Sequence, residues 1–315
     1  MTRVAIQIEP QYGFAFDDVV EVARLAERSG YHALWTSDHL LWDDRSTHRN
    51  CLEAWTLLTA LAPLTTTLRL GSLVTCYAYR YPSMLGKIVA CLDTISQGRV
   101  DCGLGAGWKD REFRAYGIPF PAVGRRMEQL REAIQILKQL WNQDRVDFHG
   151  QHYTLEDALC APKPIQHPLP LWIGGEGERK LLRLVAEEAN GWNMVAGRSV
   201  AEVRHKLGVL QRHCDAVGRD IATVDKSLFV LTYLCDSEQA FRQLQEDQAR
   251  KLGPESITAL EHARRLGLGG SAAQVIDTLG QSHALGFDYV IALFPYTHER
   301  SLLQRYAEEI WPYLG

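Results

Sequence analysis

The sequence predicts an α/β fold, a (β/α)8 TIM barrel with insertions, and three observations carry that prediction. Short β-rich runs alternate with longer amphipathic helical patterns along the chain, the signature of repeated βα units around a parallel sheet. Eight such units can be read, and eight favour closure over an open doubly wound sheet. Three early apolar runs end in polar or glycine-rich residues: Ala33-Leu34-Trp35-Thr36-Ser37-Asp38-His39, Leu70-Gly71-Ser72-Leu73-Val74-Thr75-Cys76, and Val100-Asp101-Cys102-Gly103-Leu104-Gly105-Ala106-Gly107-Trp108. Parallel-barrel strands carry their chemistry at such carboxyl ends. At 315 residues the chain, 1–315, suits a single domain of about 250 barrel residues plus insertions.

The elements follow in order. Arg3–Glu9 reads as the first strand; Asp17 and Asp18 then open a helix whose apolar stripe is Val19, Val22, Ala23, Leu25 and Ala26, ended by Gly30. The second strand, 33–37, leads through a polar loop to a helix over 52–62. The third, 68–75, precedes a helix with Pro82 in its first turn, and Gly98 closes that helix before strand four at 100–104. An aromatic- and proline-rich loop over 113–123 is followed by a long amphipathic helix over 125–141. Residues 145–170 interrupt the alternation and read as an inserted hairpin or excursion. Strand five is 171–173, with a helix starting near Lys180; strands six, seven and eight are 192–195, 228–234 and 289–294. A second insertion runs to Gly270, Ser271 caps a helix to Ala284, and a final helix ends at Trp311.

Composition narrows the function classes. Hydrophobic residues make up 46% and charged residues 23%, which places the chain among ordinary globular proteins rather than disordered ones. The formal net charge of -4, with cations spread among acids, gives no footprint for nucleic acid and points to a small-molecule substrate. Seven scattered cysteines without a C-x-x-C pair suggest neither a disulfide framework nor a zinc site. No apolar stretch approaches the roughly 20 residues of a membrane span, and the N-terminus lacks a signal-peptide core, so a cytoplasmic protein is expected.

Several groups are candidates for chemistry. His39 lies just past a strand end beside Asp38, which places an imidazole at the barrel mouth as base, acid or hydrogen-bonding partner, or as a histidine satisfied by loop backbone. Gly103-x-Gly105-x-Gly107 lacks dinucleotide-fingerprint spacing; it provides either close approach of backbone to a flat ligand or a tight turn. Gly174-Gly175-Glu176-Gly177 followed by Arg179 and Lys180 at a helix start is either an anion site or an ordinary turn. Tyr77, Tyr79, Arg80 and Tyr81 form an aromatic and cationic cluster, and Trp108, Phe113, Tyr116 and Phe120 a lid or a plug for the rim. His149 and His152 have no third ligand nearby, so no metal site is expected.

The run from Gly103 to Trp108, followed by Glu112-Phe113 and Tyr116-Gly117-Ile118-Pro119-Phe120, resembles the luciferase-like monooxygenase superfamily. Thr36-Ser37-Asp38-His39, Leu92-Asp93 with Ser96 and Gly98-Arg99-Val100, Pro162-Lys163-Pro164-Ile165-Gln166 with Pro168, and Ile173-Gly174-Gly175 agree in order and spacing, so the resemblance spans nearly the whole chain. It implies a bacterial-luciferase-like barrel with an insertion, usually a homodimer, binding FMN or the deazaflavin F420 at the strand carboxyl ends. The Ser-Asp-His form is more similar to the F420-dependent branch than to flavin monooxygenases, which often carry Glu-His-His there. That similarity implies that His39 sits near the reactive face of the ring as base or hydrogen-bonding group. Ser72, Leu73, Val74 and Thr75 would line the ring, often with a non-proline cis peptide; Gly105, Ala106, Gly107 and Trp108 are further cofactor contacts; Gly174, Gly175, Glu176 and Gly177 would hold the ribityl phosphate. Sugar-phosphate dehydrogenases of that branch carry a glutamate proton donor where this chain has Trp108, leaving Glu9 and Glu112 as positional substitutes.

The expected activity is therefore F420-dependent oxidoreduction, moving a hydride between the deazaflavin and a small organic substrate, with His39 managing the coupled proton and Asp38 orienting it. One alternative is an FMN-dependent two-component monooxygenase fed by a separate flavin reductase; another is a non-catalytic flavin-binding barrel.

Overall fold

Strand-forming runs and amphipathic stripes alternate in the computed structural model, which describes residues 2–43 and 47–314, as βα units wound around one axis. In chain order the elements are β1 (Arg3–Ile8), α1 (Phe16–Arg28), β2 (Ala33–Thr36), α2 (Ala54–Leu61), β3 (Arg69–Cys76), α3 (Pro82–Ile95), β4 (Val100–Gly105), α4 (Asp110–Ala115) and α5 (Val123–Asn142). There follow β5 (Val146–His149), β6 (Thr154–Ala158), β7 (Leu171–Gly174), α6 (Leu181–Glu188), β8 (Gly191–Val195), α7 (Val200–Ala216), β9 (Asp225–Leu231) and β10 (Tyr233–Leu234). The chain closes with α8 (Glu238–Leu252), α9 (Ser256–Arg265), β11 (Gly269–Gly270), α10 (Ala272–Ala284), β12 (Tyr289–Leu293) and α11 (Glu299–Glu309).

Eight parallel strands close a barrel in the order β1-β12-β9-β8-β7-β4-β3-β2. Ala5 pairs with Ala33 across β1 and β2, and Arg3 with Tyr289 across β1 and β12. Most barrel-strand residues are buried, because helices cover one face and barrel side chains fill the other. The interior plug is Ala5, Ala33, Trp35, Leu73, Trp172, Tyr289 and Ile291, with Trp35 Nε1 donating to the Tyr289 hydroxyl at 2.8 Å. A larger apolar layer lies between strands and helices, where α1 contributes Val19, Val22, Ala23 and Ala26.

Helix starts follow their caps. Asp18 accepts from the Ala15 amide, Glu53 from the Thr56 amide, and Ser199 with Glu202 and Ser271 with Gln274 form capping boxes at α7 and α10. The inserted segment contains the expected hairpin, β5 antiparallel to β6 with Phe148 opposite Leu155. Among the described residues no helix is long and apolar enough to cross a membrane.

Three expectations need correction. The stretch read as a strand over 228–234 is β9 from Asp225 to Leu231, and Tyr233–Leu234 turns away to pair with Gly269–Gly270. The loop expected over 113–123 begins inside α4, a short helix anchored by the fully buried Phe113. Helix α7 falls where the sequence predicts no element, because its buried positions are Val203, Val209, Leu210 and Cys214 and its polar residues dilute the stripe.

Candidate functional site

The carboxyl ends of the strands surround a cavity of about 630 Å³, within the usual range for a small-molecule or cofactor site. Gln7 and Glu9 reach it from β1, Asp38 and His39 from the end of β2, Leu73 and Val74 from β3, Gly105, Ala106, Gly107 and Trp108 from β4, and Gly174 and Gly175 from β7. Four expected contacts do not line it. Ser72 and Thr75 are fully buried, and Thr75 Oγ1 accepts from Trp55 Nε1 of α2 on the helix side. The register against β4 shifts between Ser72 and Thr75, and that irregularity turns the two successive residues Leu73 and Val74 to the cavity. The Leu73-Val74 peptide is cis. Glu176 and Gly177 stand beyond the wall; the Glu176 carboxylate accepts from Arg198 Nε at 3.0 Å and its carbonyl from Lys206 Nζ at 3.1 Å.

His39 is not oriented by its sequence neighbour. Its Nδ1 lies 3.0 and 3.1 Å from the two carboxylate oxygens of Glu112, which is 0% exposed at the start of the rim helix α4. Glu112 also accepts from the Leu40 amide (3.0 Å), the Leu41 amide (3.3 Å) and the Tyr79 hydroxyl (2.7 Å), and Lys109 Nζ stands 3.4 Å away. Burial works against ionisation of Glu112, but the His39 and Tyr79 hydrogen bonds and the Lys109 charge outweigh it and hold the carboxyl down at about 2. An ionised carboxylate only accepts, so Nδ1 carries a proton, and in the neutral imidazole Nε2 is then the nitrogen with the lone pair. Burial, with Glu112 adjacent, pushes the Tyr79 phenol up, so it remains a donor.

Asp38 serves a different partner, which corrects the expectation that it sets the His39 tautomer. Its two oxygens take a forked pair of hydrogen bonds from Arg80 at 2.8 Å each, and one accepts from the Cys76 amide at 3.0 Å. Both residues line the cavity, but the Asp38 carboxylate is tied to the loop after β3 while the His39 ring is tied to the rim helix α4. Arg80 also reaches Glu53, the N-cap of α2. Burial pushes the Cys51 and Cys76 thiols up to about 12, so neither supplies a thiolate at neutral pH.

The glycines of the wall have a steric reason. A Cβ on Gly105 would stand 2.5 Å from Val74 Cγ2, and one on Gly174 would stand 2.7 Å from Val74 Cγ1. They admit the Val74 side chain rather than merely making a turn. Gly175, at φ +130°, donates to the Asn193 carbonyl and accepts from Trp192 Nε1, which pins the β7 loop to β8. Of the cations expected to make an anion site there, Lys180 is engaged with Glu128.

Trp108 is 73% exposed and meets the His39 ring edge to face at 5.6 Å between centroids. Lys109 Nζ donates to the Leu41 and Trp42 carbonyls at 2.7 and 2.9 Å, tying the loop after β2 to the rim. Sequence reading did not connect Tyr79, Lys109 and Glu112 to His39; Glu112 is 73 residues from it, and its position within the family-like run was the sole pointer. Among the described residues no cluster of three or more His, Cys, Asp or Glu side chains is arranged to hold a metal ion.

Comparisons with known proteins agree with this architecture. Residues 1–289 match the family model described as luciferase-like monooxygenase. A curated relative from Amycolatopsis mediterranei (strain U-32), named F420-dependent glucose-6-phosphate dehydrogenase, is 29% identical over 256 residues, covering 79% of this chain and 76% of its own. Two solved structures share the fold with a TM-score of 0.83: an F420-dependent secondary alcohol dehydrogenase in complex with an F420-acetone adduct, 19% identical and covering 100% of this chain and 99% of its own, and the monooxygenase RslO1 from Streptomyces bottropensis, 20% identical and covering 99% and 100%. With a closed eight-stranded parallel barrel and a family model that matches residues 1–289, the chain belongs to the luciferase-like monooxygenase family of oxidoreductases.

Proposed function

We propose that the protein is an F420-dependent oxidoreductase that moves a hydride between the deazaflavin and a small organic substrate. The observation that carries this reading is the His39-Glu112 pair, which holds a proton on Nδ1 and makes Nε2 the acceptor of the neutral ring at a cavity of about 630 Å³. The F420 dependence named for the Amycolatopsis relative supports the choice of cofactor.

The residues present fit such a group. Leu73, Val74 and Ala106 give an apolar wall for a flat ring, and Gly174 and Gly175 bring backbone to the cavity lining. When bound, the deazaflavin supplies two-electron exchange at a ring carbon that disfavours oxygen activation. In alcohol oxidation, the hydroxyl proton passes to His39 Nε2 as the carbon gives up its hydride and the C–O bond becomes a carbonyl; reduction runs the same atoms backwards. Glu112 stabilises the imidazolium formed, and Tyr79 and Lys109 hold Glu112 in place. Trp108 shields the imidazole from water on one side.

Calorimetric titration with F420 and, separately, FMN tests the proposal. Binding of F420 with weak or absent FMN binding is the expected result. FMN preference with substrate-coupled oxygen consumption would overturn it in favour of a two-component monooxygenase.

A further inference from the structure

The end of β1 holds a polar cluster that the proton transfer at His39 does not use. Glu9 lines the cavity and is 8% exposed, on the strand diametrically opposite β7 in the closed barrel. Gln7 Nε2 donates to Glu9 Oε1 at 2.9 Å and to the Leu73 carbonyl at 3.2 Å. Gln11 Nε2 donates to the other oxygen of Glu9, and Ser37 Oγ donates to Gln11 Oε1 at 2.8 Å. Both side-chain amides thus donate to Glu9, and the direction of each amide is set. Gln7 Oε1 has no hydrogen-bond partner, but the atom is itself buried, so it is Glu9 that remains for a ligand. Among the described residues no lysine, arginine or histidine forms an ion pair with Glu9. A carboxylate with spare lone pairs, in a cavity whose other walls include Leu73, Val74, Phe229 and Leu293, is costly until a donor reaches it.

We infer that Glu9 is a specificity-determining residue that receives a hydrogen-bond donor on the substrate. The substrate class is then an apolar body carrying, besides the reacting carbon, a second polar group that donates: a hydroxyl or an ammonium. This deepens the proposed oxidoreductase reading and rests on it for the identity of the reacting carbon, whereas the donor preference is set by geometry that needs no cofactor.

The test therefore uses the full-length protein without cofactor. Cyclohexanol, trans-cyclohexane-1,4-diol and trans-4-aminocyclohexanol are titrated against it and followed by tryptophan fluorescence. The diol or the amino alcohol is expected to bind about ten- to a hundredfold more tightly than cyclohexanol, the range of a hydrogen bond to a charged group. The stronger of the two tells whether the donor is a hydroxyl or an ammonium. Glu9→Gln should erase the preference while leaving cyclohexanol binding within about twofold, and Glu9→Asp should retain part of it. Equal affinity for all three in the wild-type protein, or no measurable binding of any, overturns the inference without recourse to a variant. Failure of F420 to bind would instead remove the redox reading and leave the panel interpretable.

Discussion

Two carboxylates at opposite ends of the barrel have the same electrostatics and different work. Glu27, near the end of α1, takes the amides of Thr66, Thr67 and Leu68 at 2.7, 2.6 and 3.0 Å and the hydroxyls of both threonines, closing the turn that feeds β3. Glu112 collects two amides, a phenol and an imidazole at the mouth. In each, burial opposes ionisation and hydrogen bonds overcome it, and both carboxyls are held down at about 2. All of Glu27's partners belong to one turn, so its charge ends in a structural clasp. One partner of Glu112 has a second nitrogen left over, so its charge is passed on to a group that can take a proton. A lowered carboxyl pKa therefore does not mark a site; a partner with a free face does.

That contrast can be broken at His39 first. His39→Ala should lower turnover by about 10² to 10⁴-fold, as for loss of a general base, with F420 affinity within about twofold; steady-state kinetics and calorimetry read the two separately. Asp38→Asn is next: it leaves Arg80 buried with half its partner and should cost about 3–5 kcal/mol in urea unfolding, with any loss of activity following the folded fraction. Glu112→Gln frees the imidazole to change tautomer and should cost about ten- to a hundredfold in turnover. Because the folded carboxyl lies at about 2 against an ordinary 4.5, its stabilisation is full above pH 4.5 and is lost as pH falls toward 2. Glu112→Gln should accordingly flatten the acid limb of stability in that window and shift the pH profile of turnover. Glu27→Gln is the smallest change: it should flatten the same acid limb, lower stability by no more than about 1 kcal/mol because solvent screens the group, and leave turnover unchanged. Any loss of turnover there would erase the distinction between the two ends.

The barrel was legible because its signals are local. The carboxyl-end residues after β2, β3 and β4 lie where the apolar runs stop, and Ser271 marks the start of α10 in the sequence itself. His39 was legible for the same reason. Its partner was not, since a hydrogen bond spanning 73 residues depends on how α4 packs against the loop after β2. Asp38 misled because its carboxylate, though adjacent in sequence to His39, is tied to the loop after β3. Ser72 and Thr75 misled because the register irregularity that presents Leu73 and Val74 together cannot be read from alternation alone.

The Val74 side chain sits where β4 and β7 would otherwise carry their own side chains, so three positions on three strands share one volume. The three are bound together: an alanine at 105 or 174 is intolerable beside valine at 74 but should become permissible once Val74 is shortened. Thermal melts of Gly105→Ala, Val74→Ala and the pair would show the second change repairing part of the first. Substitutions at this wall are therefore coupled, and any redesign of the cavity from β3 must negotiate with two other strands at once.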